Sequence, residues 1–152
     1  MAGFYGSHQT PAGTNLTLLA LVSAAATRGR LHQLIIGSDA TPADVAGEFA
    51  LLRHTTAGVT PATVPVAKPS DPLGGPAACT LAGGTFATEP VYEAVATNGL
   101  LQIALNQRAT FTWIANPGRE FATAIGVANG IGLRSIASGG VPNINHTFGW
   151  DE

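Results

Sequence analysis

Short apolar runs separated by glycine and proline dominate the chain, and few of them carry the three- and four-residue spacing of an amphipathic helix. Residues 15–23 are apolar with threonine interspersed, and residues 30–38 (Arg-Leu-His-Gln-Leu-Ile-Ile-Gly-Ser) are rich in branched side chains. Both predict strands. Thr41-Pro-Ala-Asp44 predicts a turn, and residues 47–56 a strand leading into Ala57-Gly58. Residues 100–106 and 109–115 predict a hairpin turning at Asn106-Gln107-Arg108. In its second arm Phe111, Trp113 and Ala115 alternate with Thr110, Thr112 and Ile114, which puts the large aromatics on one face. Asn116-Pro-Gly-Arg119 predicts a turn, residues 120–128 follow, and Asn129-Gly130 precedes a strand over 131–137. Ser138-Gly-Gly140 turns the chain into a last strand over 143–150.

The remaining segments are less regular. Residues 77–86 predict a weak strand broken by Gly83-Gly84, and residues 90–96 a strand or a short helix. Only 24–28 and 90–97 have room for a helical turn or two. Residues 58–76 hold Pro61, Pro65, Pro69, Pro72 and Pro76, and predict an extended surface crossing, because proline cannot donate to a sheet ladder. Residues 1–14 mix Gly, Ser, Thr and Pro with Phe4 and Tyr5, and predict an extended N-terminal arm whose two aromatics dock on something. Many short strands with Gly/Pro-rich turns point to an all-β chain: a jelly-roll-like antiparallel β-sandwich of about eight strands. Residues 15–152 form its single domain and residues 1–14 the arm.

Composition narrows the function. Charged residues make up 11% of the 152-residue chain, against roughly 25% in an ordinary soluble domain. Seven basic and nine acidic residues give a net charge of −2, with no basic excess for nucleic acid. A surface so poor in charge suits burial against a partner. Cys79 is the sole cysteine, so neither an intrachain disulfide nor a Cys-based zinc site can form. The N-terminus lacks the basic start and apolar run of a signal peptide, and the apolar stretch 16–26 is too short to span a bilayer. These features predict a soluble chain made in a cytoplasm, with no membrane partner. Sequons at Asn15 and Asn145 carry little weight.

A search for chemistry yields little. His8, His32, His54 and His146 lack metal-ligand spacing, and each reads as a strand residue facing solvent or a neighbouring subunit. Asp39 and Asp44 are too few for a calcium loop and fit a solvated turn. Glu89, Glu93 and Glu120 form no recognisable acid pair. There is no Gly-x-Ser-x-Gly elbow and no phosphate-cradling loop, and Cys79 reads as a buried strand thiol. The prediction is therefore not an enzyme, with no catalytic residue, cofactor or metal. Six arginines accompany the single Lys68, a bias that favours protein contact. The candidate contact residues are Phe4 and Tyr5 in the arm, and Arg28 and Arg30 before the second predicted strand.

Three stretches carry a resemblance. The first is Phe49-Ala-Leu-Leu-Arg-His-Thr-Thr-Ala-Gly58 with the crossing that ends Lys68-Pro-Ser-Asp-Pro72. The second is Phe111-Thr-Trp-Ile-Ala-Asn-Pro-Gly-Arg-Glu120 followed by Asn129-Gly-Ile-Gly-Leu-Arg134, and the third is the acidic end Trp150-Asp-Glu152. Over roughly residues 29–152 the chain resembles tailed-phage capsid decoration (cement) proteins of the jelly-roll type. The resemblance implies a homotrimer on the outer surface of the virion head, bound to the major capsid protein and clamping neighbouring subunits. The arm or the Pro-rich crossing would reach a neighbouring capsomer. Alternatives are another virion component (a head–tail adaptor, tail or fibre-base protein) and a jelly-roll carbohydrate-binding module using Trp113, Trp150 and Tyr92.

Overall fold

Leu31, Leu34 and Ile36 recur along the run that begins at Arg30. In the computed structural model all three are buried, on a strand at the heart of one of two sheets. The structure describes residues 2–39, 42–94, 99–139 and 143–152. Thr41 of the predicted turn, residues 95–97 of the predicted strand or short helix, and Gly140 of the last predicted turn lie outside them. The described residues contain strands and no helix, so the 24–28 stretch is a loop.

In chain order the strands are β1 (Gly3–Pro11), β2 (Leu16–Val22), β3 (Arg30–Ser38), β4 (Ala46–Thr56) and β5 (Val59–Thr63). Then come β6 (Lys68–Pro69), β7 (Thr80–Thr88), β8 (Val91–Tyr92), β9 (Leu101–Asn106) and β10 (Phe111–Ile114). The last three are β11 (Phe121–Ala122), β12 (Gly130–Ser138) and β13 (Asn143–Asp151). The first sheet runs β10-β3-β13-β1-β6, with β11 also on β3. The second runs β5-β7-β2-β12-β4-β8, with β9 also on β4. Every pairing is antiparallel.

The series β10-β3-β13-β1 lies in one sheet and β9-β4-β12-β2 in the other. Successive strands β1 and β2, β3 and β4, β9 and β10, β12 and β13 therefore fall in opposite sheets. These eight strands make a jelly roll. Phe4, Leu34, Ile36, Phe148 and Trp150 from the first sheet meet Leu19, Leu21, Leu51, Ile131 and Leu133 from the second in one buried core.

Four expectations need correction. The predicted hairpin over 100–115 does not form. The turn is present, with the Ala109 N–H donating to the Asn106 carbonyl at 2.9 Å, but β9 pairs with β4 and β10 with β3. Ile103 and Phe111 pack on the same core from opposite sheets, which a two-stranded ribbon cannot achieve. The segment 1–14 is extended but is no arm. Its residues 3–11 pair with β13 at nine successive positions, from Gly3–Asp151 to Pro11–Asn143. Finally, the 58–76 crossing contains two strands. Pro61 sits in β5 and Pro69 in β6, and each strand is the outer edge of its sheet, where a missing N–H costs no ladder bond. The crossing thus passes from one sheet to the other along one side of the sandwich. The predicted break at Gly83-Gly84 is likewise absent, since both lie within β7 and Gly83 pairs with Leu19.

The insertion between β4 and β9 also covers the second sheet. Ala20, Ala50 and Leu52 are fully buried there, outside the main core. Gly132 opens space for the covering layer: a Cβ at that position would lie 2.1 Å from the Tyr92 hydroxyl oxygen. That hydroxyl is 2.9 Å from the Thr17 hydroxyl. The Thr17 N–H donates to the Glu89 carboxylate at 3.0 Å, and the Thr17 hydroxyl donates to the same oxygen. Burial holds the Tyr92 hydroxyl well above its ordinary pKa. Among the described residues no such layer covers the outer face of the first sheet, and Tyr5, Ser7, Gln9, Asn145 and Thr112 are exposed on its strands.

Candidate functional site

The four predicted contact residues do not form one site. Phe4 is 2% exposed and stacks on Trp150 with ring centroids 5.8 Å apart. It is a core residue, which corrects its assignment as a contact. Strand alternation sends its neighbour outward: Tyr5 is 39% exposed and meets the edge of the His32 ring at 5.8 Å. Arg30, exposed at the start of β3, belongs to this outer group. The Glu120 carboxyl lies below its ordinary pKa, first through the backbone N–H groups of Glu120 and Gly118 and then through the charges of Arg30 and His32. His32 also approaches Asp151 at 3.8 Å. Arg28 lies apart, exposed in the connection between β2 and β3.

That connection is the centre of a built surface. Residues 23–29 are tied on one side to residues 123–129, between β11 and β12. The Gly126 N–H donates to the Ala24 carbonyl at 3.1 Å, Ser23 to Asn129 at 2.9 Å and Thr123 to Gly29 at 2.9 Å. The buried Thr123 hydroxyl accepts from the Ser23 hydroxyl at 2.6 Å and from the Gly29 N–H at 3.0 Å. On the other side lies the connection between β6 and β7, where the buried Cys79 thiol faces the Thr27 carbonyl at 3.9 Å. The Glu152 carboxylate accepts from Ala78 N–H at 2.7 Å, Cys79 N–H at 2.8 Å and the Trp150 indole N–H at 3.0 Å. Glu152→Ala is expected to cost about 1–3 kcal/mol by leaving these donors unpaired. Thermal unfolding measures the loss, and Glu152→Gln, which keeps an acceptor, should recover part of it.

What these loops present to solvent is aliphatic. Ile125 is 47% and Val127 66% exposed, and Ala25, Ala26 and Ala78 are exposed beside them. The Pro-rich crossing continues the surface. Val64, Pro65, Pro76, Ala77 and Cys79 line one hollow of about 210 Å³. Val64 itself is 64% exposed, and elsewhere on the crossing Val66 is 74% and Leu73 94% exposed. Single exposed aliphatics are ordinary; here Ile125 and Val127 share hydrogen-bonded loops at one end of the domain. The sequence reading missed Ile125 and Val127. Their signal was two large aliphatics in a stretch, residues 123–129, otherwise made of Thr, Ala, Gly and Asn.

The chemistry-bearing residues are otherwise dispersed or buried. Among the described residues, no three of His, Cys, Asp and Glu are grouped as a metal would require. Two histidines expected to face solvent or a partner are core residues: His54 and His146 are each 1% exposed. His146 lies opposite His8 across β1 and β13, ring to ring at 5.7 Å. Burial, reinforced by His8, lowers its pKa to about 3. Burial raises the Cys79 thiol to about 11, which leaves it protonated. Of the aromatics available to a sugar, Trp150 is fully buried, Tyr92 lies on Gly132, and Trp113 stacks on Phe121 at 4.7 Å.

No protein-family model, curated protein or solved structure matches the chain.

Proposed function

We propose that this protein is a structural component of a virion: a capsid decoration protein that binds the outside of a phage head and holds neighbouring major capsid subunits together. One observation carries the reading. The rigid jelly roll exposes an aliphatic, nearly uncharged surface at one end and along the Pro-rich crossing, with Val64, Val66, Leu73, Ile125 and Val127 open to solvent. A surface of that kind is costly to leave in water and is suited to burial against another protein. The low charge of the chain and the resemblance in residues 49–72, 111–134 and 150–152 support the same reading. With Phe4 in the core, the capsid contact in this reading falls to the crossing and the loop end. A decoration protein used in many copies multiplies weak contacts into strong attachment.

Quantitative mass spectrometry of purified particles from the source, scaled to the major capsid protein, tests this. A ratio near one is expected. A handful of copies per particle would move the assignment to the tail or its connector. Absence from the particle would overturn it.

A further inference from the structure

We infer that β10 pairs edge to edge with β10 of a second copy of this chain, so that two sandwiches share one continuous first sheet. The two flanks of the sandwich differ. On one flank the outer strands are guarded: β5 holds Pro61 and a register shift against β7, and β6 is Lys68-Pro69. Proline, lysine and irregular pairing at an edge discourage the addition of another strand. On the opposite flank the first sheet ends in β10, Phe111-Thr-Trp-Ile114, which has no charge, no proline and no irregularity in its pairing with β3. Among the described residues no strand pairs with its outer edge.

The pairing with β3 sets which backbone groups that edge offers. The Ala115 N–H donates to the His32 carbonyl at 2.8 Å, and Trp113 lies opposite Leu34. Alternation along the strand then turns the N–H and C=O of Thr112 and Ile114 away from β3. An antiparallel copy with Thr112 opposite Ile114 bonds every one of these groups reciprocally. That register sets Trp113 opposite Trp113 of the copy at a non-hydrogen-bonded position, where facing side chains come closest. Trp113 is half-buried against the core and stacks on Phe121 at 4.7 Å, so the two indoles close the seam on the core side. On the outer face Ile114, 65% exposed, comes beside Thr112 of the copy, a pair of branched side chains. A foreign strand could bond the same backbone, but self-pairing also matches both side-chain rows. A strand paired with its own copy lies on a twofold axis, so the product is a dimer and not the trimer that the resemblance implies. So short a strand pair is smaller than a standard interface, and the dimer therefore exchanges with monomer.

Sedimentation velocity of the purified protein over a range of concentrations tests this, with circular dichroism to check that each variant is folded. Wild type is expected to move from one-chain to two-chain mass as concentration rises. Thr112→Pro removes an outward N–H and no bond to β3, so it should fold and stay at one-chain mass. Ile114→Lys alters only an exposed side chain and guards the edge, and it decides the matter if the proline variant fails to fold. It should weaken the dimer by roughly tenfold or more. Val59→Lys, on the guarded flank, should dimerise as wild type does. Wild type at one-chain mass throughout, a three-chain mass, or a dimer that Ile114→Lys or a folded Thr112→Pro leaves intact would overturn the inference.

Discussion

Phe4→Ala is expected to cost about 3–5 kcal/mol of folding stability, while Tyr5→Ala costs less than about 1 kcal/mol. The two residues are adjacent and both aromatic, so composition cannot separate them. Pairing with β13 does: Phe4 sits opposite Trp150 and Tyr5 opposite Gly149. Phe4 stacks on the fully buried Trp150, and truncating it leaves a cavity between the sheets that rigid strands cannot close. Tyr5 lies over Gly149 on the open face of the first sheet, where water replaces most of what its ring covers. For a chain of this size the Phe4 loss corresponds to a melting temperature lower by roughly 10 °C. Urea titration of both variants checks the prediction. Equal, small losses would mean that residues 3–11 do not form a strand of the sandwich in solution.

That contrast shows what could be read from the chain and what could not. The strands over 30–38, 131–137 and 143–150 were legible because their apolar residues are large and their flanks hold turn residues. Strand β1 has the same alternation, with Phe4, Gly6 and Thr10 buried and Tyr5, Ser7 and Gln9 exposed. Two of its inward positions are too small or too polar to register as core. A Cβ at Gly6 would lie 2.0 Å from a methyl of the buried Leu81, so a larger residue would have to displace it, a constraint that only the folded pairing reveals. The roll thus has eight strands, as expected, but β1 is one of them and much of the 58–94 segment is added around them. Sheet assignment was equally hidden. The turn at Asn106–Ala109 looks the same whether it joins strands of one sheet or strands of two, and only burial of both Ile103 and Phe111 against one core decides it. The exposed loop surface was not legible, because Ile125 and Val127 become meaningful only once the connections 23–29 and 123–129 are tied together.

Acid should weaken the fold steeply through His146. The residue is 1% exposed and its Nδ1 lies 3.0 Å from the Ile144 carbonyl, while its Nε2 has no partner among the described residues. Protonation there places a charge between the sheets, opposite His8, whose own pKa is lowered by burial. In the folded protein His146 resists protonation down to about pH 3, against 6.5 for an unperturbed histidine. Between those values the unfolded chain binds the proton and the folded chain does not. Stability is therefore fully present above about pH 6.5 and is lost as the pH falls toward 3, at about 1.4 kcal/mol per pH unit. His54, buried with its pKa lowered by desolvation, adds a loss of the same sign. Urea midpoints at a series of pH values between about 7 and about 4 measure the slope. A folded His146→Gln variant starts from lower stability but should show a slope shallower by about 1.4 kcal/mol per unit, because it removes the site that discriminates between the two states. Parallel slopes for wild type and His146→Gln would mean that the acid response resides in other groups, His54 among them, and that His146 is not sealed from water.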